Sequence, residues 1–203
     1  CTMKQHDSVL IIFVKNPIPG KVKTRLAKTM GEEKALAIYH QLLEHTMKTT
    51  HQLEVDKIVF YSDEVITGDI WEETIYDKKV QEGSDLGKRM ANAFKFAFSK
   101  GYRKAIIIGS DCFDITPKII KEAFAGLPSN NFVIGPTHDG GYYLLGMATF
   151  YASVFKNKRW SSDEVLHDTL IDIRNINGTY KLLEELTDID TEADLDAVKN
   201  IAS

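Results

Sequence analysis

The chain has 203 residues, 43% of them hydrophobic and 27% charged, which is enough apolar material for one soluble globular domain over residues 1–203. Its net charge of −4 provides no general attraction for nucleic acid or an anionic membrane, and no apolar run approaches the ~20 residues that span a bilayer. Its two cysteines follow no disulfide pattern, so we expect a reducing compartment, the cytoplasm.

Apolar runs alternate with segments of helical periodicity along the first half of the chain. The run 9–14 predicts a buried strand, and the segment 31–50 repeats apolar residues at helical spacing. The next predicted elements are a strand at 57–61, a short strand around Val80, a helix at 86–99 and a strand at 105–108. The last of these is apolar throughout, which is typical of a central strand in a parallel sheet.

The second half of the chain continues this alternation. Thr116 and Pro117 suit the N-cap and the first position of a helix. Strands are predicted at 132–134 and 142–146, and the loop between them is too short for a parallel crossover, so we expect an antiparallel element. The remaining predicted elements are a helix at 163–173, a strand at 180–183 and a final helix that starts from a capping box at 191–194.

Together these elements predict a three-layer α/β/α sandwich around a mostly parallel sheet. Ligands of such sheets bind beyond the carboxyl ends of the strands. Three polar segments follow predicted strands, at 15–28, 109–114 and 135–141. We therefore expect these three segments to form one site.

The segment after the first strand is cationic, with Gly20 among four basic residues: Lys15, Lys21, Lys23 and Arg25. Glycine lets backbone N–H groups approach an anion closely, and arginine can bind phosphate oxygens through two hydrogen bonds. The segment is not a P-loop, because Val22 follows Gly20-Lys21, and no Gly-x-Gly-x-x-Gly fingerprint occurs in the chain. Its position favours a nucleotide phosphate site over a solvated basic turn.

Asp111 follows the strand 105–108 and is the strongest candidate for a metal ligand. Mg²⁺ and Mn²⁺ prefer carboxylate oxygens, and Mg²⁺ usually combines one or two of them with substrate phosphates. The alternative is a structural turn residue. The segment 188–191, with Asp188 and Asp190, offers a second carboxylate or only caps the last helix. Cys112 is expected to be a small buried neighbour, because no base accompanies it.

Each of three further polar segments has a functional and a structural interpretation. The segment 81–90 offers Gln81 to a nucleotide base, or uses Asp85 only as a helix N-cap. The segment 138–143 contains two glycines that allow close backbone approach, or is simply an Asp-Gly hairpin turn. The segment 156–163, which mixes cations with Trp160, lines an acceptor pocket or forms a solvated loop.

These segments, in this order, resemble a known family. The motifs that carry the resemblance are Lys15-x-Pro17-x-x-Gly20-x-x-Lys23-Thr24-Arg25-Leu26, Gln81-x-Gly83-x-Asp85-Leu86-Gly87-x-Arg89-Met90, Gly109-Ser110-Asp111-Cys112, Gly135-Pro136-x-x-Asp139-Gly140-Gly141-Tyr142-Tyr143-Leu144-x-Gly146, Trp160-Ser161-x-x-x-Val165 and Asp188-x-Asp190-Thr191. They resemble bacterial glycosyltransferase-like proteins with the nucleotide-diphospho-sugar transferase (GT-A) fold, known as radical-SAM/selenodomain-associated transferases. The phospholactate and molybdenum-cofactor guanylyltransferases are more distantly similar. Phe113 departs from the pattern, because the family usually has proline there.

The resemblance implies roles for individual positions. The nucleotide would be bound by Lys15, Pro19, Gly20, Lys23, Thr24, Arg25, Gln81, Gly83, Asp85 and Arg89. The metal, Mg²⁺ or Mn²⁺, would be bound by Asp111 and Asp190. The acceptor side would comprise Gly140, Gly141, Tyr142, Trp160 and Ser161.

We therefore predict a metal-dependent glycosyltransferase that moves a sugar from a nucleotide-sugar to a small acceptor. Its catalytic residues would be Lys23, Arg25, Asp111 and, as the candidate base, Asp139. One alternative is a nucleotidyltransferase, which takes a nucleoside triphosphate and a phosphorylated acceptor and releases pyrophosphate. A second is a nucleotide-binding module without turnover. The sequence gives no indication of the oligomeric state.

Overall fold

The computed structural model describes residues 6–201, with side chains as far as residue 198. Within that range, strands and helices alternate. The strands are β1 (Ser8–Val14), β2 (Asp56–Tyr61), β3 (Tyr76–Val80), β4 (Lys104–Ile108), β5 (Phe132–Pro136), β6 (Tyr142–Met147) and β7 (Tyr180–Leu182). The helices are α1 (Thr24–Met30), α2 (Glu32–His51), α3 (Leu86–Ser99), α4 (Pro117–Gly126), α5 (Val165–Asn175) and α6 (Glu192–Ile201), with a 3₁₀ turn at Ala152–Phe155.

The seven strands of this range form one sheet in the order β3-β2-β1-β4-β6-β5-β7. β1 lies between β2 and β4 and is parallel to both. β6 is antiparallel to its neighbours β4 and β5, while β5 and β7 are parallel. Six strands therefore end at the same edge, and the predicted mostly parallel sheet with an antiparallel element is confirmed.

Each face of the sheet carries its own hydrophobic core, because successive side chains of a strand point to opposite faces. Leu10 and Ile12 of β1 pack into the cluster that contains side chains of α2 and α4. Ile11 and Phe13 pack into the cluster that contains side chains of α3 and α5. This arrangement gives the predicted three layers.

A third, smaller cluster brings α1, α2 and α6 together. Leu26 of α1, Leu42 of α2 and Ile189, just before α6, are fully buried in it, and Leu195 of α6 packs beside them. Fully burying a side chain of this size contributes about 1.5–3 kcal/mol. The cluster fixes the loop after β1 against the segment that precedes α6.

The elements differ from the predicted ones at a few places, of which α1, in this third cluster, is the largest difference. α1 was not predicted as a helix, because its sequence reads as part of the cationic segment 15–28. α5 begins at Val165 rather than at 163, and β7 ends at Leu182. Within residues 6–201, no helix combines the length and apolar character that a bilayer crossing requires.

Candidate functional site

The loop after β1 is anchored at its first two residues. The hydroxyl of Tyr39 on α2 accepts a hydrogen bond from the backbone N–H of Lys15 (2.8 Å) and donates one to its carbonyl (2.9 Å). The buried side chain of Asn16 donates to the carbonyl of Glu64 (2.8 Å) and accepts from the N–H of Asp63 (3.1 Å). These bonds tie the loop to α2 and to the loop after β2. The sequence contains no evident signal that Tyr39 or Asn16 would anchor this loop.

The loop then turns sharply at Pro19 and Gly20. The N–H of Lys21 donates to the carbonyl of Ile18 (3.0 Å), and Gly20 has φ +74°. Proline followed by glycine with positive φ is the pattern of a type II turn. A Cβ on Gly20 would lie 3.1 Å from the carboxylate of Glu32. The turn exposes Lys21 and leads the chain back toward the sheet edge.

Lys23 lies at the centre of the candidate site. Its Nζ is 2.6 Å from Oδ1 of Asp111 and 3.2 Å from Oδ1 of Asp190. The Lys23 side chain is 4% exposed, whereas the two carboxylates are 42% and 38% exposed. Burial disfavours the ammonium form, but the two carboxylates outweigh this effect and hold the pKa of Lys23 above its usual range. Three residues predicted to share a site therefore form one ion-pair cluster.

The backbone at Lys23 is unusual. Lys23 has φ 48° and ψ 45°, a left-handed conformation that costs a residue with a Cβ roughly 1–2 kcal/mol. Its carbonyl accepts a hydrogen bond from the N–H of Ala27 (2.8 Å), which begins α1. Such a conformation persists where the surrounding structure enforces it. Here the enforcing contacts are the buried Leu26 and the two ion pairs.

Asp111 and Asp190 are held in place by the backbone around them. The N–H of Ile189 donates to the carbonyl of Asp111 (2.8 Å), which joins the loop after β4 to the segment before α6. The Oδ2 atom of Asp194 accepts from the N–H groups of Asp190 (3.1 Å) and Thr191 (2.7 Å). The N–H of Asp194 donates in return to Thr191 Oγ1 (3.4 Å), so these two residues form the predicted capping box. Asp190 is thus a member of the ion-pair cluster rather than the cap of α6.

Asp188 is a further carboxylate of this site; the sequence analysis considered it within the segment 188–191 but proposed only Asp190 of that segment as a site residue. It accepts a hydrogen bond from the buried thiol of Cys112 (Sγ to Oδ1, 2.8 Å). Burial, together with the nearby charge of Asp111, raises the pKa of Asp188 to about 7. Burial also raises the pKa of Cys112, which fits the expected inert neighbour. The alternation Asp188-Ile189-Asp190, with a buried residue between two polar ones, is the signal that was available.

The loop 81–85 folds back on the first turn of α3. The side-chain amide of Gln81 donates to the carbonyls of Val14 (3.1 Å) and Phe60 (2.9 Å), where β1 and β2 end. Arg89 donates from Nε to the carbonyl of Gly83 (3.2 Å) and from Nη1 to Gln81 Oε1 (3.4 Å). Asp85 accepts from the N–H of Lys88 (2.8 Å) and is the N-cap of α3. These residues lie at the predicted edge, but their polar groups are largely engaged with one another.

The turn 138–141 also lies at this edge, and it is a tight turn as the structural interpretation predicted. Asp139 Oδ1 accepts from Thr137 Oγ1 (2.5 Å) and from the N–H of Gly141 (3.2 Å). Gly140 has φ +88°, and a Cβ there would overlap the backbone of Asp163. Beyond the turn, the hydroxyl of Tyr142 is buried and has no hydrogen-bond partner among the described residues. Burial raises the pKa of this hydroxyl.

The segment 156–163 borders the same edge of the sheet on the side of α3. The indole of Trp160 is half-buried against Gly87, at the start of α3, and a Cβ on Gly87 would overlap the ring. Ser161 is exposed and has φ +72°. Arg159 pairs with Glu164 (2.6 Å) across this segment. Trp160 is therefore a packed residue rather than part of a solvated loop.

The predicted residues thus divide into a connected group and a surrounding rim. Lys23, Asp111 and Asp190 are in contact, with Asp188 beside them. Arg25 is exposed on α1. Burial acts to raise the pKa of Asp194, but the hydrogen bonds from Thr191 and Asp190, together with the charge of Arg25, lower it overall. Two cavities, of about 450 and 280 Å³, lie at the β3 edge and at the amino end of β2, and no predicted site residue lines them. The candidate site is an open sheet edge.

Comparison with known structures places this fold in the nucleotide-diphospho-sugar transferase class. A crystal structure from Desulfovibrio desulfuricans G20, provisionally described as a nucleotide-diphospho-sugar transferase, is 30% identical over 97% of this chain and 88% of its own, with a TM-score of 0.90. The 4-diphosphocytidyl-2C-methyl-D-erythritol synthase of Anaerococcus prevotii is 13% identical over 96% of this chain and 95% of its own, with a TM-score of 0.63. The inositol-1-phosphate CTP transferase of T. maritima is 15% identical over 94% and 92%, with a TM-score of 0.58. The last two likenesses show the fold alone.

The chain belongs to the bacterial family described as "uncharacterized protein conserved in bacteria (DUF2064)", which matches residues 44–162. No curated protein matches the sequence.

Proposed function

We propose that this protein is a metal-dependent transferase that uses a nucleotide, and that it moves a sugar from a nucleotide-sugar donor to a small acceptor. The observation that carries the proposal is the convergence of Asp111 and Asp190 on one buried cation beside the cationic loop after β1. The proposed relationship to the radical-SAM/selenodomain-associated transferases, and the name given to the 30% identical relative, support the same conclusion.

The phosphates of the donor would lie against the exposed cations Lys15, Lys21 and Arg25. Among the described side chains, none of the three forms an ion pair with a carboxylate, so each is available to a phosphate oxygen. Arg25 would bind two oxygens, since its guanidinium matches the geometry of a phosphate.

The residues of the ion-pair cluster fit Mg²⁺ or Mn²⁺. Asp111 and Asp190 present half-exposed oxygens to a common point that already accommodates a positive charge. A metal held by these two carboxylates would share its coordination with substrate phosphates and water. When bound, the metal would stabilise charge on the departing diphosphate.

The acceptor would bind between the turn 138–141 and Trp160. Oδ1 of Asp139 is held by Thr137 and Gly141, and we propose that Oδ2 receives the proton of an acceptor hydroxyl. Gly140, Gly141, Tyr142 and Ser161 would line this side. The packing of Trp160 on Gly87 links the acceptor side to the loop 81–85, which we propose faces the nucleotide base.

One observation favours a second candidate, nucleotidyl transfer with release of pyrophosphate. The loop after β1 and the start of α1 carry three exposed cations, Lys15, Lys21 and Arg25, which is more positive charge than a diphosphate requires. A nucleoside triphosphate would use this charge more fully.

A thermal-denaturation panel of UDP-glucose, GDP-mannose, UTP, CTP, GTP and ATP, each with and without Mn²⁺, tests the proposal. A ligand at 100 times its dissociation constant stabilises the fold by about 2.7 kcal/mol, which such a panel detects. The variant Arg25→Met should lose affinity by about tenfold or more, while Lys34→Met, an exposed control on α2, should bind as the wild type does.

The products then separate the two reactions. Release of a nucleoside diphosphate from a nucleotide-sugar supports glycosyl transfer, whereas pyrophosphate release from a triphosphate supports the second candidate. A panel in which no ligand shifts the transition contradicts both.

A further inference from the structure

The side chain of Lys23 fills the space between the two carboxylates proposed to hold the metal. Its Nζ lies 2.6 Å from one Oδ1 and 3.2 Å from the other. A Mg²⁺ ion held by both carboxylates would take this same place between them. The ammonium and a divalent cation cannot occupy this place together, and two cations a few ångströms apart repel strongly in a partly buried site.

The surroundings of Lys23 favour its position between the two carboxylates. Its side chain is almost completely buried, and its backbone is fixed by the start of α1 and by the buried Leu26. An ammonium removed from water needs its partners, because a buried charge without them is strongly destabilising. A divalent cation that displaced the ammonium would leave Lys23 without its anionic partners, so other anions would have to compensate for it. The phosphates of a nucleotide on the neighbouring Lys21 and Arg25 would supply that compensation.

We propose that Lys23 is a positioning residue that makes metal and nucleotide bind together. In the free protein its ammonium closes the Asp111–Asp190 pair to divalent cations, and a polyphosphate draws the ammonium away so that the metal can enter. This inference rests on the proposed function for the identity of the two ligands. Because coupling between two ligands is reciprocal, the metal must strengthen phosphate binding by the same factor as phosphate strengthens metal binding.

Calorimetric titration with Mn²⁺ alone, on the full chain without nucleotide, tests this role. Lys23→Met keeps most of the side-chain volume and removes the charge, so it should bind Mn²⁺ more tightly than the wild type by about tenfold or more. Lys34→Met, the exposed control on α2, should bind Mn²⁺ as the wild type does. The double variant Lys23→Met/Asp111→Asn should lose the gain, which places the new affinity at this carboxylate pair. Equal Mn²⁺ affinity in the wild type and Lys23→Met overturns the proposal.

A second measurement uses the wild type and does not depend on the folding of a variant. Mn²⁺ broadens the amide resonances of residues near its binding site in NMR spectra. The amides of Ser110 and Cys112 should broaden when Mn²⁺ and inorganic pyrophosphate are added together, and remain sharp with Mn²⁺ alone. Broadening by Mn²⁺ alone to the same extent contradicts the coupling.

Failure of this inference and failure of the proposed function are distinguishable. If the nucleotide panel shows binding but Lys23→Met gains no Mn²⁺ affinity, only the role of Lys23 is wrong. If Lys23→Met gains Mn²⁺ affinity but no nucleotide binds, the ammonium does keep divalent cations from Asp111 and Asp190, and the proposed transferase function is wrong.

Discussion

The indole ring of Trp160 lies directly on Gly87, in the first turn of α3. Gly87 is buried, and the contact leaves no room for a Cβ, although alanine normally stabilises a helix relative to glycine by about 1 kcal/mol. The contact joins the segment 156–163 to the helix that follows the loop 81–85. It gives a physical reason for glycine at this position that helix propensity does not.

Gly87→Ala should therefore destabilise the protein instead of stabilising it. We expect a loss of about 1–3 kcal/mol in the free energy of unfolding, because the Cβ must push the ring aside. Tryptophan fluorescence should also change, since Trp160 is one of only two tryptophans in the sequence. Gly109→Ala is the matched control, because nothing lies within 4 Å of a Cβ there. A Gly87→Ala variant as stable as the wild type, with unchanged fluorescence, would contradict the packing.

Asp194 supports Asp190 from the start of α6. Its Oδ2 accepts hydrogen bonds from two backbone N–H groups and from the hydroxyl of Thr191. Asp194→Ala should lower the free energy of unfolding by about 1–2 kcal/mol, the usual loss when a helix cap is removed. Asp196→Ala, on an exposed position of the same helix, should change it by less than about 0.5 kcal/mol. Urea denaturation of the three proteins measures both effects, and equal losses in the two variants would show that the cap contributes nothing.

Gln81 connects the ends of β1 and β2 through the carbonyls of Val14 and Phe60. Gln81→Ala leaves both carbonyls without this donor, so we expect a loss of about 1–3 kcal/mol in the free energy of unfolding. Gln41→Ala, on the exposed side of α2, is the control and should have little effect. If the two variants unfold at the same denaturant concentration, water replaces the Gln81 amide without loss and its role at the strand ends is wrong.

Much of the fold could be predicted because local sequence determines it. The runs 9–14 and 105–108 are apolar at every position, and β1 and β4 are correspondingly buried on both faces of the sheet. Thr116 and Pro117 begin α4, where the hydroxyl of Thr116 accepts from the N–H of Ile119. The short loop before Tyr142 correctly predicted the antiparallel β6.

The rest depends on contacts between distant parts of the chain. α1 has seven residues and no side-chain cap, and Leu26 holds it through packing on Ile189 and Leu195, which sequence periodicity does not reveal. Lys23 and Asp190 are 167 positions apart, so local sequence does not reveal their contact, and the resemblance to a family implied only that both serve the same site. The sequence suggested that Lys23 binds phosphate, whereas in the structure its ammonium contacts two carboxylates.

Asp188 should make the stability of the protein depend on pH. An unfolded aspartate loses its proton near pH 4, whereas burial and the charge of Asp111 raise the pKa of Asp188 in the folded protein to about 7. Between these values the folded state binds more protons than the unfolded state. The free energy of unfolding should therefore decrease as the pH rises from about 4 to about 7, by up to about 4 kcal/mol, and this contribution should stay lost above pH 7.

Asp188→Asn isolates this contribution from all other titrating groups. The amide oxygen can still accept the hydrogen bond from Cys112, but the side chain no longer ionises. Urea denaturation at intervals from pH 4 to 8 should show that the variant gains stability relative to the wild type as the pH rises, with the largest gain above pH 7. Asp196→Asn, an exposed carboxylate on α6, should follow the wild type at every pH. If the difference between Asp188→Asn and the wild type is the same at pH 4 and pH 8, folding does not shift the pKa of Asp188, and the predicted effect of its burial is wrong.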